Sequence, residues 1–126
     1  EDFCPMNRQM AKGIKLMNFG DLGAAEAVFS RVIHSHPNFA EAWNKRATVR
    51  FFRGNHSGSV GDILQVIKLE PRHFGALSGL GMIRGRAGDF LGALQAYKAA
   101  QRINPYLSQI DAIIDQLGEK LEGRAL

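Results

Sequence analysis

Three prolines, Pro37, Pro71 and Pro105, stand 34 residues apart, and five further columns keep the same interval. Gly20-Asp21, Gly54-Asn55 and Gly88-Asp89 form one; Gly13, Ala47 and Gly81 another; Ala25, Ser59 and Ala93 a third. Phe29, Ile63 and Tyr97 supply a bulky column, and Val32, Val66 and Ala100 close each unit. Six columns in one register over three copies define an internal repeat, and this constrains the fold more than any other feature.

Each column has a physical task. The Gly-Asp or Gly-Asn pair ends one helix with a residue that tolerates positive φ. It then starts the next helix with a side chain that can cap free N–H groups. The prolines lie just past the second helix, where a missing N–H does little harm and the helix must stop. The small columns let paired helices approach closely, and the bulky residue four places after the second small one fills the same face one turn on. The pattern predicts an all-α chain of three helix–turn–helix units near 6–36, 40–70 and 74–104. Helices of about 14 residues are marginal alone in water, so the units must share a core.

The tail SQIDAIIDQLGEKLEG predicts a seventh helix over about 107–122, with Ile110, Ile113, Ile114, Leu117 and Leu121 on one stripe covering the last unit. Gly58 and Gly61 weaken the second helix of the middle unit, which is expected to be the least stable.

The columns resemble the tetratricopeptide repeat family: a bulky residue, Leu-Gly and Tyr, then Ala, Phe and Pro over 34 residues. The third unit carries the pattern best, in Leu77, Leu80, Gly81, Ala93, Tyr97 and Pro105. The second has Trp43, Ala47, Ile63 and Pro71, with Ser59 for Ala and Arg50 for Tyr; the first has Gln9 at the bulky position. The wording also looks like short tetratricopeptide proteins of bacteria and plant organelles. The resemblance implies a right-handed superhelical stack in a single domain, with repeats at about 6–39, 40–73 and 74–107 plus the capping helix.

It further implies a non-catalytic scaffold that holds a partner peptide or helix in a concave groove. The groove positions are Met10, Ile14 and Met17, then Asn44, Lys45, Thr48 and Phe51, then Ser78, Met82 and Gly85: a soft, largely apolar surface. The family's clamp for the C-terminal carboxylate of chaperones would fall on Met10, Ile14, Lys45, Gly75 and Gly79. Of these only Lys45 can hold an anion, so clamp binding of chaperone tails is not expected. The family also implies an intra-repeat ion pair of Arg46 with Asp62.

Arg50 and Arg84, 34 apart, stand where an aromatic is usual. They call for structural acceptors such as Asp111 or, with Arg53, for acidic partner residues. The alternative function is a nucleic-acid-binding helical repeat with Arg46, Arg50, Arg53, Arg84 and Arg86 as a phosphate track. Against it, acids are interspersed and no polar code set recurs per repeat.

Composition bears on the remaining classes. The 126 residues are one domain's worth, with ordinary hydrophobic and charged content, and a net charge of +4 is too modest to imply nucleic acid. The one cysteine, Cys4, excludes an internal disulfide and fits a reducing compartment. A soluble, intracellular protein of the cytosol or an organelle, chloroplast and mitochondrion included, is the expectation. No apolar run approaches the ~18 residues of a membrane span. The start EDFCPMNRQ has neither a signal-peptide pattern nor an initiator Met, as expected of a processed or excised form.

His34 and His36 lie two apart on a helix and point in different directions, and no Cys or carboxylate completes a metal site with them, His56 or His73. Cys4 has no activating base nearby in sequence. The glycines of GLGMIRG lie within a helix without the strand a phosphate loop needs. No enzyme, cofactor or metal is expected.

Overall fold

The computed structural model describes residues 5–125, which form seven α-helices and the turns between them. Cys4 lies outside the described residues. The helices are α1 Pro5–Asn18, α2 Leu22–Ser35, α3 Ala40–Phe52, α4 His56–Leu69, α5 Phe74–Arg86, α6 Phe90–Ile103 and α7 Ser108–Ala125. The chain groups into two compact units, residues 1–70 with α1–α4 and residues 71–126 with α5–α7.

The three turns of the repeat are copies of one another. Gly20, Gly54 and Gly88 adopt φ of 84°, 85° and 86°, a region that Cβ-bearing residues rarely adopt. The N–H of the following Asp21, Asn55 or Asp89 donates to the carbonyl of Leu16, Arg50 or Arg84, at 2.8–2.9 Å. This six-to-one closure satisfies a carbonyl that the helix end leaves open.

The capping expectation holds at two of the three turns. Asn55 Oδ1 accepts from the Gly58 N–H at 3.0 Å and Asp89 Oδ1 from Gly92 at 2.9 Å, whereas the Asp21 side chain makes no cap bond. A Cβ on Gly58 or Gly92 would stand 2.4 or 2.3 Å from the capping side chain. The first repeat has Ala24 at that place, and its methyl group occupies the space the cap needs. Gly58 thus serves the cap of α4, and α4 runs unbroken over 14 residues.

In the first unit the core is Met10, Ala25, Phe29, Val32, Ile33, Ala42 and Val49, with Trp43 and Phe39 packed against it. Phe29 is 0% exposed and lies directly on Gly13, where a Cβ would come within 2.6 Å of the ring. The same pairing recurs in the second unit, where Tyr97 lies on Gly81 at 2.7 Å. The middle repeat replaces glycine by Ala47 and the ring by Ile63, both buried. Its other departure is also resolved: the buried Ser59 hydroxyl donates to the Ala47 carbonyl at 2.7 Å, so the polar atom is satisfied at the contact between α3 and α4.

In the second unit Ala93 and Tyr97 of α6 pack on Ile110 and Leu117 of α7, flanked by Phe74, Phe90, Leu94, Ile113 and Ile114. His73 starts α5, its ring Nδ1 accepting from the Ala76 N–H at 3.0 Å.

Candidate partner-binding site

The cations of α3 are bound within the first unit. Arg46 meets Asp62 through two hydrogen bonds, Nε to Oδ2 at 3.0 Å and Nη2 to Oδ1 at 2.8 Å, and its Nη1 donates to the Ser30 hydroxyl. Its guanidinium carbon also lies 5.1 Å from the centroid of the Trp43 ring. Arg50 bridges two acids, giving Nε to Glu26 at 3.1 Å and Nη1 to Asp62 at 3.2 Å, and Arg53 reaches Glu26 at 2.8 Å. Asp62 is 2% exposed, so this is a desolvated charge with two cationic neighbours rather than a surface pair.

Burial pushes the Glu26 carboxyl up, but hydrogen bonds and charge from Arg50 and Arg53 outweigh it and hold the group below its usual range. Arg50 and Arg53 are therefore not the open contacts for an acidic partner that the sequence led us to expect. Their guanidinium groups already have carboxylates. The same bonds occupy three of the five cations of the phosphate-track alternative.

Arg84 differs. Its equivalents of Glu26 and Asp62, 34 residues on, are Val60 and Ala96, neither an acceptor. Asp111, the acid considered for it, instead accepts from Gln101 Nε2 at 2.6 Å. Arg84 is half-buried, with its Cδ over Gly92 at the start of α6.

The expected groove residues also divide. Met10 is 6% exposed and belongs to the core, a correction with a simple cause: it packs with Ala42 and Val49 of α3 as well as with Phe29. Ile14 and Met17 are half-buried against that core. Lys45 lies 3.8 Å from Glu41, Asn44 donates to Glu41 at 3.5 Å, and the Thr48 hydroxyl donates to the Asn44 carbonyl. Phe51 stacks on His56 with centroids 5.0 Å apart and meets Phe52 edge-on. In the second unit Ser78 Oγ is shut from solvent without a hydrogen-bond partner, whereas Met82 is 37% exposed.

Met82 and Gly85 line a cavity of about 210 Å³ formed within the second unit. From α5 come Gly81, Met82, Gly85 and Arg86, and from α6 Phe90 and Tyr97. Ile113, Leu117 and Lys120 of α7 form the opposite wall. The groove exists because α5 is nearly bare there: two glycines in one turn leave space that side chains would otherwise fill. Lys120 Nζ is held 4.9 Å from the Phe90 ring centroid. Burial raises the Tyr97 pKa, and the nearby Arg86 charge opposes that rise.

Sequence reasoning missed the part played by α7. Its apolar stripe reads as a cover for the last repeat, and Ile110 and Leu117 do bury there. Yet Ile113, Leu117 and Lys120, spaced 4 and 3, make a second line facing α5. That i, i+4, i+7 spacing was the available signal.

Among the described residues no helix is long and apolar enough to cross a membrane. The family model for the tetratricopeptide repeat matches residues 10–62 and 44–108. A TPR repeat-containing protein of Rhizobium etli is 39% identical over 100 residues, 79% of this chain and 49% of that protein. Small glutamine-rich tetratricopeptide repeat-containing protein 2 of Mycosarcoma maydis is 29% identical over 105 residues, 83% of this chain and 30% of that one. The chain thus spans half or less of the length of these relatives.

Among solved structures, the first TPR of Spaghetti (RPAP3) bound to the HSP90 peptide SRMEEVD gives a TM-score of 0.88 at 16% identity, covering 96% of both chains. MamA gives 0.88 at 18% identity, covering 96% of this chain and 71% of that one. At those identities they show a likeness of fold. With the 34-residue register, the three identical turns and a family match over most of its length, this chain belongs to the tetratricopeptide repeat family.

Proposed function

We propose that this chain is a non-catalytic interaction module that captures a segment of another protein, with the α5–α7 groove as the receiving site. One observation carries the reading: a cavity of about 210 Å³ with an apolar floor, left open by Gly81 and Gly85 and walled by α7. That is room for one large side chain, and a few polar groups at its rim suit orientation of a bound chain. The solved relative bound to an HSP90 peptide supports peptide capture as a mode open to this fold.

The carboxylate-clamp positions do not favour the same ligand class by the same means. Met10 is core, Lys45 is shared with Glu41, and Gly75 and Gly79 offer no side chain. In the first unit Asn44, Thr48 and Phe51, one helical line on α3, are the side chains we assign to further partner contact. Arg84 is the cation of the original three left for an acidic partner residue.

The test is selection of random dodecapeptides displayed on phage against the immobilised chain. Enrichment is expected on the wild type and loss of it on Gly85→Leu, whose side chain fills the cavity. A folded Gly85→Leu protein, verified by its melting curve, that retains the same enriched peptides refutes the groove.

A further inference from the structure

The distribution of charge about α7 is one-sided. Asp115, Glu119 and Glu122 line a separate cleft of about 410 Å³ between α6 and α7, together with Leu94, Lys98 and Ile114. The groove towards α5 receives none of them: its lining contains no carboxylate, and its two charged groups are Arg86 and Lys120. On the other wall α5 has the sequence FGALSGLGMIRGR, with basic residues in its last turn and no acid anywhere. Every acidic side chain of this helix pair therefore stays off the groove, while one cation from each helix sits on it.

These cations stand beside an apolar floor. Lys120 rests over the Phe90 ring, an arrangement that fixes its ammonium without neutralising it. Arg86 is near enough to Tyr97 for its charge to oppose the effect of burial on that phenol. Between them lie Met82, Ile113 and Leu117, which a sugar–phosphate backbone would leave unsatisfied and an aliphatic or aromatic side chain would cover.

We infer that the α5–α7 groove selects an acidic partner segment: a bulky apolar side chain enters over Gly85 and Met82, and flanking Asp or Glu carboxylates meet Arg86 and Lys120. The inference rests on the groove reading above and adds the chemical class of the ligand. Charge-assisted hydrogen bonds at a partly enclosed rim supply orientation, and the apolar contact supplies most of the affinity.

The same peptide selection separates the two ideas. Peptides with a Leu, Ile, Phe or Met next to two or more acids are expected to dominate the wild-type pool. Their binding, read by fluorescence polarisation, should weaken about tenfold or more on Lys120→Glu, and severalfold between low and physiological salt. Lys120 is exposed, so that variant is expected to melt as the wild type does. Arg86→Gln should weaken acidic peptides while sparing the glutamine-substituted versions.

An enriched pool that is neutral or basic, yet lost on Gly85→Leu, overturns the acidic class and leaves the groove standing. A pool indifferent to Gly85→Leu overturns both, as does the absence of any enrichment. Equal competition by a single-stranded RNA dodecamer would assign the cations to phosphate and refute the peptide. Self-association by sedimentation, abolished by Gly85→Leu, would make a second copy of the chain the occupant and refute it likewise.

Discussion

Replacing Gly13 by alanine sets two effects of known size against each other. Glycine inside a helix is about 1 kcal/mol worse than alanine, so an unhindered replacement gains that much. Gly13 is hindered: a Cβ would lie 2.6 Å from Cε1 and 2.8 Å from Cζ of Phe29. Carbons in contact settle near 3.5–4.0 Å, so the ring must retreat by about an ångström. Phe29 is fully buried among Met10, Ala25, Val32 and Ile33, and a close-packed interior has no space to take it.

Overpacking of this kind costs about 1–3 kcal/mol. The net expectation is a loss of about 1 kcal/mol, or roughly 3–6 °C in Tm for a chain of this size. Gly85→Ala is the control, since its Cβ would meet only Ala93 Cβ at an ordinary 3.7 Å and should raise Tm by a similar amount. Urea titration with thermal melts followed by circular dichroism decides it. Equal stabilisation by both substitutions refutes the ring-on-glycine account. A further arm copies the Ala47 and Ile63 pair of the middle repeat into the first as Gly13→Ala with Phe29→Ile. A favourable coupling of at least about 0.5 kcal/mol is expected in the double-mutant cycle, and additivity would count against it.

Three other outcomes are expected. Asp62→Ala removes the carboxylate shared by Arg46 and Arg50 and should cost about 3 kcal/mol, the low end for a broken buried pair because both arginines keep some water; a melting temperature equal to wild type would show that the pair contributes nothing. The Glu26 carboxyl is held below its usual value in the folded state, so its contribution is present above the unfolded value of about 4.3 and is lost as pH falls through the folded one. Wild type should therefore exceed Glu26→Gln in urea stability at neutral pH, with the gap closing below about pH 4; a constant gap down to pH 3 contradicts the assignment. His73→Ala removes the N-cap of α5 and should cost about 1 kcal/mol, with His73→Asn restoring most of it, and an unchanged urea midpoint in the alanine variant would remove the cap from the account.

The repeat register made the helices, turns and most of the packing legible, because those features recur and recurrence is what periodicity detects. Gly54 takes the same φ as Gly20 and Gly88, and Tyr97 meets Gly81 as Phe29 meets Gly13. Failures came where a residue acts through what differs between repeats. Asp21 matches Asn55 and Asp89 in its column, yet caps nothing because Ala24 stands where the others have Gly58 and Gly92. Met10 holds a groove position by register, yet Ala42 and Val49 of α3 bury it.

The arginines show the rule in its sharpest form. Arg50 and Arg84 share one column, but only Arg50 has acids at the two places that can serve it, Glu26 one repeat earlier and Asp62 on the paired helix. At the matching places Arg84 meets Val60 and Ala96. A comparison of columns in pairs, rather than one at a time, would have read this from the sequence: a charge that departs from its column is structural when a complementary departure lies at the facing position. Arg46 with Asp62, Arg50 with Glu26 and Gly13 with Phe29 satisfy that condition. Arg84 does not satisfy it, nor do Gly85 and Lys120 at the edge of the α5–α7 groove. Residues that break the pattern without an internal counterpart are the ones a partner has to explain.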